Sequence, residues 1–132
     1  MSLVLLDTDV VSFLMKGDNR AVLFTPHVLG NETCISLMTV AELLQWAHVR
    51  RWGTRRTADL EQYVFRTYTI LTIDITTCHL WAEVRGNAHH GGRTISPQDA
   101  WVAATALQYR VPLLTNNQKD YQGVDGLSVI GA

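Results

Sequence analysis

The chain has 132 residues, of which 47% are hydrophobic and 17% are charged, a composition typical of a globular domain with its own apolar core. Its formal net charge of -1 excludes strong long-range attraction of a polyanion, so any affinity for nucleic acid must come from local patches. No apolar run approaches the roughly 20 residues that a membrane helix needs, and the N-terminus lacks the features of a secretory signal. We therefore expect one domain, residues 1–132, that is soluble, cytoplasmic and free of membrane contacts.

Short apolar runs alternate along the chain with longer segments of helical spacing. In chain order, strands are predicted at 2–6, 35–37, 68–73, 112–114 and 127–130. Helices are predicted at 10–15, 40–51, 55–66, 77–88 and 98–109, and the spacing of the last helix places Leu107 on its core face. This alternation predicts βαβ units, and hence an α/β fold with three layers, α/β/α, around a mainly parallel central sheet.

Several acidic residues fall near the carboxyl ends of the predicted strands. Asp7 ends the first strand, and Glu42 lies in the first helical turn after the second strand. Asn117 and Asp120 follow the fourth strand, and Asp99 begins the last predicted helix. Because open α/β sheets place their sites at the carboxyl ends of the strands, we expect these side chains to meet at one edge.

Each acid also has a structural explanation when it is taken singly. Thr39 and Glu42 have the spacing of a capping box, in which both side chains satisfy free N–H groups at a helix start. Ser96, followed by a proline, is a typical N-cap of the last helix. Asp7 or Asp9 could cap the first helix. Taken alone, Glu42 is therefore more simply explained as a cap than as a catalytic group.

The acids gain a chemical meaning when they are considered together. Two carboxylates about 4 Å apart repel by roughly 4 kcal/mol at an effective dielectric near 20, so a cluster needs a cation. Oxygen ligands favour Mg²⁺ or Mn²⁺ over zinc, and His89 and His90, expected in an exposed loop, lack zinc-site spacing. A carboxylate-held divalent ion can activate water and neutralise a phosphate, which indicates phosphodiester hydrolysis. No glycine-rich phosphate loop or G-x-S-x-G elbow favours nucleotide-triphosphate or acyl-transfer chemistry.

Two local basic patches could contact nucleic acid. The first runs from His48 to Arg56, and the second runs from His89 to Arg93. The alternative interpretation is a solvated helix end and a flexible loop, which the sequence favours equally.

Four segments resemble the successive motifs of PIN domains, and among these they are most similar to VapC-type toxins of bacterial toxin-antitoxin pairs. The segments are 5–11, 36–43, 92–107 and 114–121. The resemblance spans nearly the whole chain in the expected order. It implies a single PIN-like domain over residues 1–132.

The resemblance also implies a set of metal ligands. The acids that match the Mg²⁺- or Mn²⁺-binding positions are Asp7, Glu42 and Asp99. The set would be completed by Asn117 or by Asp120. Asp9 stands where asparagine is commoner, so it would either join the site or cap the helix. Thr8 and Thr115 would supply hydroxyl groups.

The function implied by the resemblance is that of a metal-dependent endoribonuclease. VapC-type proteins cleave RNA, often a tRNA or a ribosomal RNA loop, and usually act as homodimers. A cognate VapB-like antitoxin silences them by laying its C-terminal segment in a groove beside the active site.

Two other interpretations remain open. The first segment also resembles the start of haloacid-dehalogenase-type phosphatases, in which Asp7 would be a covalent nucleophile and Asp9 a general acid. Thr115 and Lys119 could then serve the later motifs, and Asp120 with Asp125 could form the metal pair. Two of the acids, Glu42 and Asp99, would have no role. Alternatively, the chain is a catalytically silent PIN-like binding module whose acids only cap helices and whose apolar grooves receive a partner helix.

Overall fold

The computed structural model describes residues 2–131 and contains one five-stranded sheet with the strand order β3-β2-β1-β4-β5. The strands are β1 (Leu3–Leu6), β2 (Glu32–Ser36), β3 (Thr69–Leu71), β4 (Leu113–Thr115) and β5 (Val129–Gly131). The α-helices are α1 (Thr8–Lys16), α2 (Thr25–Leu29), α3 (Leu37–Val49), α4 (Thr54–Thr67), α5 (Ile75–His90) and α6 (Pro97–Tyr109). All four strand pairs are parallel, which confirms the predicted α/β fold.

The central strand β1 separates two apolar cores because its side chains alternate between the faces of the sheet. Val4 and Leu6 pack into the core under α1, α3 and α4. Leu5, which is fully buried, packs into the other core under α5 and α6. A strand buried on both faces reads as a continuous apolar run, which is the pattern found at the start of this chain.

The segment between α1 and β2 contains structure that the sequence patterns did not predict. It forms a 3₁₀ helix, Asn19–Leu23, and then α2, and its one fully buried large side chain is Phe24. A short helix carries too few turns to show an apolar period. Phe24 anchors the segment in the core together with the partly buried Ala21 and Val28. His89 and His90 are exposed as expected, but they end α5 and do not form a loop.

Leu107 packs against the core, as its helical spacing predicts, but it is only partly buried. The buried positions of α6 include Val102, Ala103 and Ala106, each at most 1% exposed. Small side chains let α6 approach the sheet closely, which moves the larger Leu107 to the edge of the contact.

Replacing Leu107 by Ala should therefore cost about 1 kcal/mol of unfolding free energy, below the roughly 2–5 kcal/mol of a fully buried leucine. Urea unfolding of the Leu107→Ala variant measures the loss. Leu5→Ala, at a fully buried position of β1, is the matched control and should reach the larger range. Equal losses in the two variants would contradict the observed packing of α6.

Within residues 2–131, no helix combines the length and the apolar character needed to cross a membrane.

Candidate active site

The carboxyl end of the sheet carries an open cleft of about 460 Å³. It lies where the chain order of the strands reverses, since β1 pairs with β2 on one side and with β4 on the other. Such a switch point is where parallel sheets form their crevices, because the connections leave in opposite directions. Five carboxylates line the cleft, and they belong to Asp7, Asp9, Glu42, Asp99 and Asp120.

Asp7 lies at the centre of this edge and is only 8% exposed. It directly follows β1 and caps α1, where its Oδ1 accepts from the Thr8 N–H at 2.9 Å. Its Oδ2 accepts hydrogen bonds from the Thr115 and Tyr121 hydroxyls, both at 2.8 Å. Burial, helped by the nearby charge of Asp9, raises the pKa of Asp7 to about 7 although these hydrogen bonds oppose the shift.

Asp9 stands in the first turn of α1 and is tied to the segment that follows β4. Its carboxylate accepts from the backbone N–H of Val10 at 2.7 Å, from the Asn117 side-chain amide at 2.9 Å and from the Asn116 backbone at 3.2 Å. Burial raises the pKa of Asp9 above its ordinary value. Asp9 therefore both faces the cleft and fixes the position of Asn117.

Glu42 reaches the cleft because α3 begins earlier than predicted. The helix starts at Leu37 with Ser36 as its N-cap, and the Ser36 hydroxyl accepts from the Thr39 N–H at 3.2 Å. The predicted capping box of Thr39 and Glu42 is therefore wrong, and Glu42 lies in the second turn. Ser36 takes the cap because it ends β2 in an extended conformation, which an N-cap requires.

The carboxylate of Glu42 is instead held by a chain of hydroxyl groups. The Thr8 hydroxyl donates to Glu42 at 2.9 Å and lies 2.9 Å from the Thr39 hydroxyl. An ionised carboxylate can only accept, so Thr8 donates to Glu42 and Thr39 donates to Thr8. Burial is the main reason that the pKa of Glu42 is raised.

Asp99 lies in the first turn of α6, which Ser96 caps as predicted. The Ser96 hydroxyl accepts from the Asp99 backbone N–H, and the Asp99 side chain lines the cleft. Its Oδ1 is 3.2 Å from the Tyr121 hydroxyl, which also contacts Asp7. Burial, followed by smaller effects that include the charge of Asp120, shifts the pKa of Asp99 upward.

Tyr121 is the site residue that sequence reasoning missed. Its ring is 2% exposed in the core below the cleft, while its hydroxyl lies between two carboxylates. The phenol has one hydroxyl hydrogen, so it donates to one of the two carboxylates at a time, and the shorter contact is the one to Asp7. The only feature of the sequence that could have indicated its role is that the aromatic residue after Asp120 is a tyrosine, which carries a hydroxyl group.

The two candidates for the fourth metal ligand, Asn117 and Asp120, lie in different environments. Asn117 donates its amide to Asp9, and Asp120 is exposed at the rim of the cleft. Both side chains line the cleft with the other acids. The structure thus brings all the predicted site residues to one edge.

The donor set suits a hard divalent cation, but a coordination sphere is not pre-formed. Among residues 2–131, no three His, Cys, Asp or Glu side chains are grouped closely enough to hold one ion. The one cationic side chain that lines the cleft, Arg20, pairs with Asp18 at 2.9 Å. Carboxylate oxygens without fixed positive partners fit Mg²⁺ or Mn²⁺ in chemistry.

The residues that the phosphatase alternative would use are divided between two neighbouring cavities. Asp7, Asp9 and Asp120 line the acidic cleft, whereas Lys119 and Asp125 line a cavity beside Arg93 that Asp120 also lines. Among the described residues, no lysine lines the acidic cleft with Asp7 and Asp9, although this alternative would place one there.

The chain also matches known proteins over nearly its whole length. The PIN domain family model matches residues 4–127. A VapC ribonuclease of Sinorhizobium fredii is 30% identical over 135 residues, covering 97% of this chain and 96% of that protein. The tRNA(fMet)-specific endonuclease VapC of Shigella flexneri is 27% identical over 123 residues, covering 93% and 92%.

A solved structure gives the same result for the fold. FitAcB from Neisseria gonorrhoeae matches with a TM-score of 0.81 and 25% identity, covering 97% of this chain and 96% of that chain. The chain belongs to the PIN-domain family and, within that family, is similar to the VapC ribonucleases.

Proposed function

We propose that this protein is a Mg²⁺- or Mn²⁺-dependent endoribonuclease and the toxin of a VapBC-type pair, silenced by a VapB-like antitoxin. The names of its relatives support the ribonuclease activity, and FitAcB is one of several toxin–antitoxin complexes that share its fold. The observation that carries the proposal is the cleft lined by five carboxylates at the switch point of the sheet.

In this proposal, Asp7, Glu42 and Asp99 hold the divalent ion, and Asn117 or Asp120 completes the set from the rim. The ion, when bound, supplies an activated water and neutralises charge on the phosphate. Thr115 and Tyr121 keep the Asp7 carboxylate oriented through their two hydrogen bonds of 2.8 Å. These hydroxyls act on the ligand and not on the substrate.

The hydroxyls of Thr8 and Thr39 hold the Glu42 carboxylate in place, as Thr115 and Tyr121 hold that of Asp7. Thr39 and Thr8 are 0% and 6% exposed. Thr8, from the neighbouring helix α1, donates to the Glu42 carboxylate, and Thr39 of α3 holds the Thr8 hydroxyl. Because both are packed in the interior, Glu42 has a defined position before any ion binds. Asp9 holds Asn117 on the opposite part of the rim.

The substrate and assembly are also part of the proposal. We infer a folded RNA as the substrate, with tRNA as the first candidate because a relative is a tRNA(fMet)-specific endonuclease. A net charge of -1 favours recognition by RNA shape over bulk attraction. A homodimer acting in the cytoplasm completes this proposal.

The test is cleavage of total cellular RNA by the purified chain, followed by sequencing of the new RNA ends. We expect cuts at a small set of positions with Mg²⁺ or Mn²⁺ and no cuts with EDTA. Addition of the cognate antitoxin should stop the reaction. The absence of cleavage with either ion, while the antitoxin still binds, would favour the silent binding module and refute the enzyme.

A further inference from the structure

A second groove lies between α1, α3 and α4 and adjoins the acidic cleft. Its most prominent side chains are Lys16, Trp46, Arg50, Trp52 and Arg56, and we call these five residues the cationic groove. Trp46 and Ser12 line both cavities, so the cationic groove continues directly into the cleft. The groove joins the end of one predicted basic patch to a lysine far away in sequence.

Each cation of the groove lies over the face of a tryptophan. Lys16 and Arg50 lie 5.4 Å and 5.8 Å from the centre of the Trp46 ring, and the Arg56 guanidinium lies 3.8 Å from that of Trp52. Stacking places a guanidinium flat on the ring and leaves its N–H groups at the edge for an anion.

The three cations of the groove form no ion pair with the described residues, although the hydrogen bonds of Arg20 and, to a smaller extent, the charge of Lys16 lower the pKa of Asp18. Within residues 2–131, the one ion pair joins Arg20 and Asp18, and no acidic side chain lines the groove. The other predicted basic patch differs in this respect. Its Arg93 donates to the Gln122 carbonyl at 2.8 Å and packs against Gly123, so Arg93 contributes to the local fold.

The two adjoining cavities thus have opposite charge. A phosphodiester chain is repelled by the acids of the cleft, and the nearly neutral protein provides no long-range attraction to offset this. Neutralisation of backbone phosphates by unpaired cations is the main source of affinity for single-stranded nucleic acid, and aromatic residues add stacking.

We propose that the cationic groove binds the single-stranded RNA segment next to the cleaved bond and guides that bond into the acidic cleft. This inference rests on the proposed ribonuclease function. Lys16, Arg50 and Arg56 contact successive backbone phosphates, while Trp46 stands at the junction of the two cavities. The groove therefore acts in substrate binding, whereas the carboxylates act in the chemical step.

A partner protein is the competing occupant of this surface. A helix docking through an apolar face needs open apolar surface. Met15, Leu43 and Leu60 supply some at the base of the groove, but both tryptophans carry cations over their rings. The groove therefore presents three positive charges together with these apolar side chains. That charge, and its continuity with the cleft, favour the RNA backbone.

The test measures binding of a fluorescent, unstructured RNA of about 12 nucleotides by anisotropy, in EDTA so that no cleavage occurs. The variant is the double substitution Arg50→Gln with Arg56→Gln. Its dissociation constant at low salt should be about 10-fold higher, and the slope of log K against log salt should fall by about 1.4, because each lost cation contributes about 0.7. Arg85→Gln is the matched control, since Arg85 lies over Trp81 at 5.5 Å outside the groove.

A second measurement separates this inference from the proposed function. With Mg²⁺ present, the double variant should show a raised KM and an unchanged kcat at saturating RNA. If the wild type neither binds nor cleaves RNA, the proposed function itself fails. If the wild type cleaves RNA but the double variant has the same affinity and salt slope, only the groove assignment is overturned. Unchanged RNA affinity together with lost binding of a poly-glutamate peptide would assign the groove to an acidic protein partner instead.

Discussion

Replacing Asp99 by Asn should lower the rate of RNA cleavage by more than about 100-fold. Loss of a side chain that only supports a metal ligand costs at most about 100-fold, so a larger loss indicates a ligand. Asparagine keeps the size of the side chain but removes one negative charge from the proposed ion site. Single-turnover cleavage of the RNA identified by end sequencing measures the loss.

The fold should survive this substitution because α6 is capped through the Ser96 hydroxyl, which accepts from the Asp99 backbone N–H and does so in the variant as well. The side-chain oxygen of asparagine can still accept from the Ser96 and Tyr121 hydroxyls that contact the Asp99 carboxylate. Asp7→Asn should abolish cleavage as well, but it also alters a carboxylate that accepts three hydrogen bonds. Asp99→Asn is therefore the cleaner variant.

Asp59→Asn is the matched control because Asp59 is an exposed carboxylate of α4 outside the cleft. It should cleave at the wild-type rate. If the Asp99→Asn protein is folded by circular dichroism and still cleaves normally, Asp99 is not a metal ligand. If it unfolds instead, its first-turn position in α6 matters for stability.

In the absence of divalent ions, the free energy of unfolding should fall as the pH rises from about 4 to about 7. Burial and the charge of Asp9 raise the pKa of Asp7 from its ordinary 3.8 to about 7. Between these two values the folded protein keeps a proton that the unfolded chain releases. The contribution of Asp7 to the free energy of unfolding is therefore fully present below pH 3.8, the ordinary pKa, and is lost as the pH rises to about 7, the pKa in the folded protein.

The effect on stability is large because Asp7 is almost fully buried. The difference between its two pKa values corresponds to at most about 4 kcal/mol. The pKa values of Asp9, Glu42 and Asp99 are also raised, mainly by burial, so these acids act in the same direction. Urea unfolding in EDTA at several pH values measures the fall, and Asp7→Asn should flatten it.

Mg²⁺ should reverse the loss at high pH and have little effect near pH 4. Ionised carboxylates bind the ion whereas protonated ones do not, and an ion that binds only the folded state stabilises by about 2.7 kcal/mol at 100 times its dissociation constant. NaCl of equal ionic strength is the control. Stability that rises with pH in EDTA, or equal stabilisation by Mg²⁺ at both ends of the range, would contradict this account.

The main elements of the fold could be predicted because their signals are local. The apolar run of β1, the N-cap Ser96 with its proline, and the helical spacing of α4 each lie within a few neighbouring residues. The order of strands and helices then brings their carboxyl ends to one edge, and the acids to that edge with them.

The interactions within the site could not be predicted from these patterns. The hydroxyls of Thr115 and Tyr121 bond to Asp7 across 108 and 114 residues of sequence. The start of α3 was misplaced because Ser36 and Thr39 are both good N-caps, and the end of β2 decides between them. Long-range hydrogen bonds depend on which elements are adjacent in space, which no local period reports.

What the sequence determined by itself is the α/β fold, the family and the group of acids at one edge of the sheet. Only the tertiary structure decided how those acids are held, that Tyr121 lies between two of them, and that Lys16 joins Arg50 and Arg56 in one groove. The physical reason is that local patterns specify which face of an element is buried, whereas the packing of α1, α3 and α4 determines which exposed side chains become neighbours.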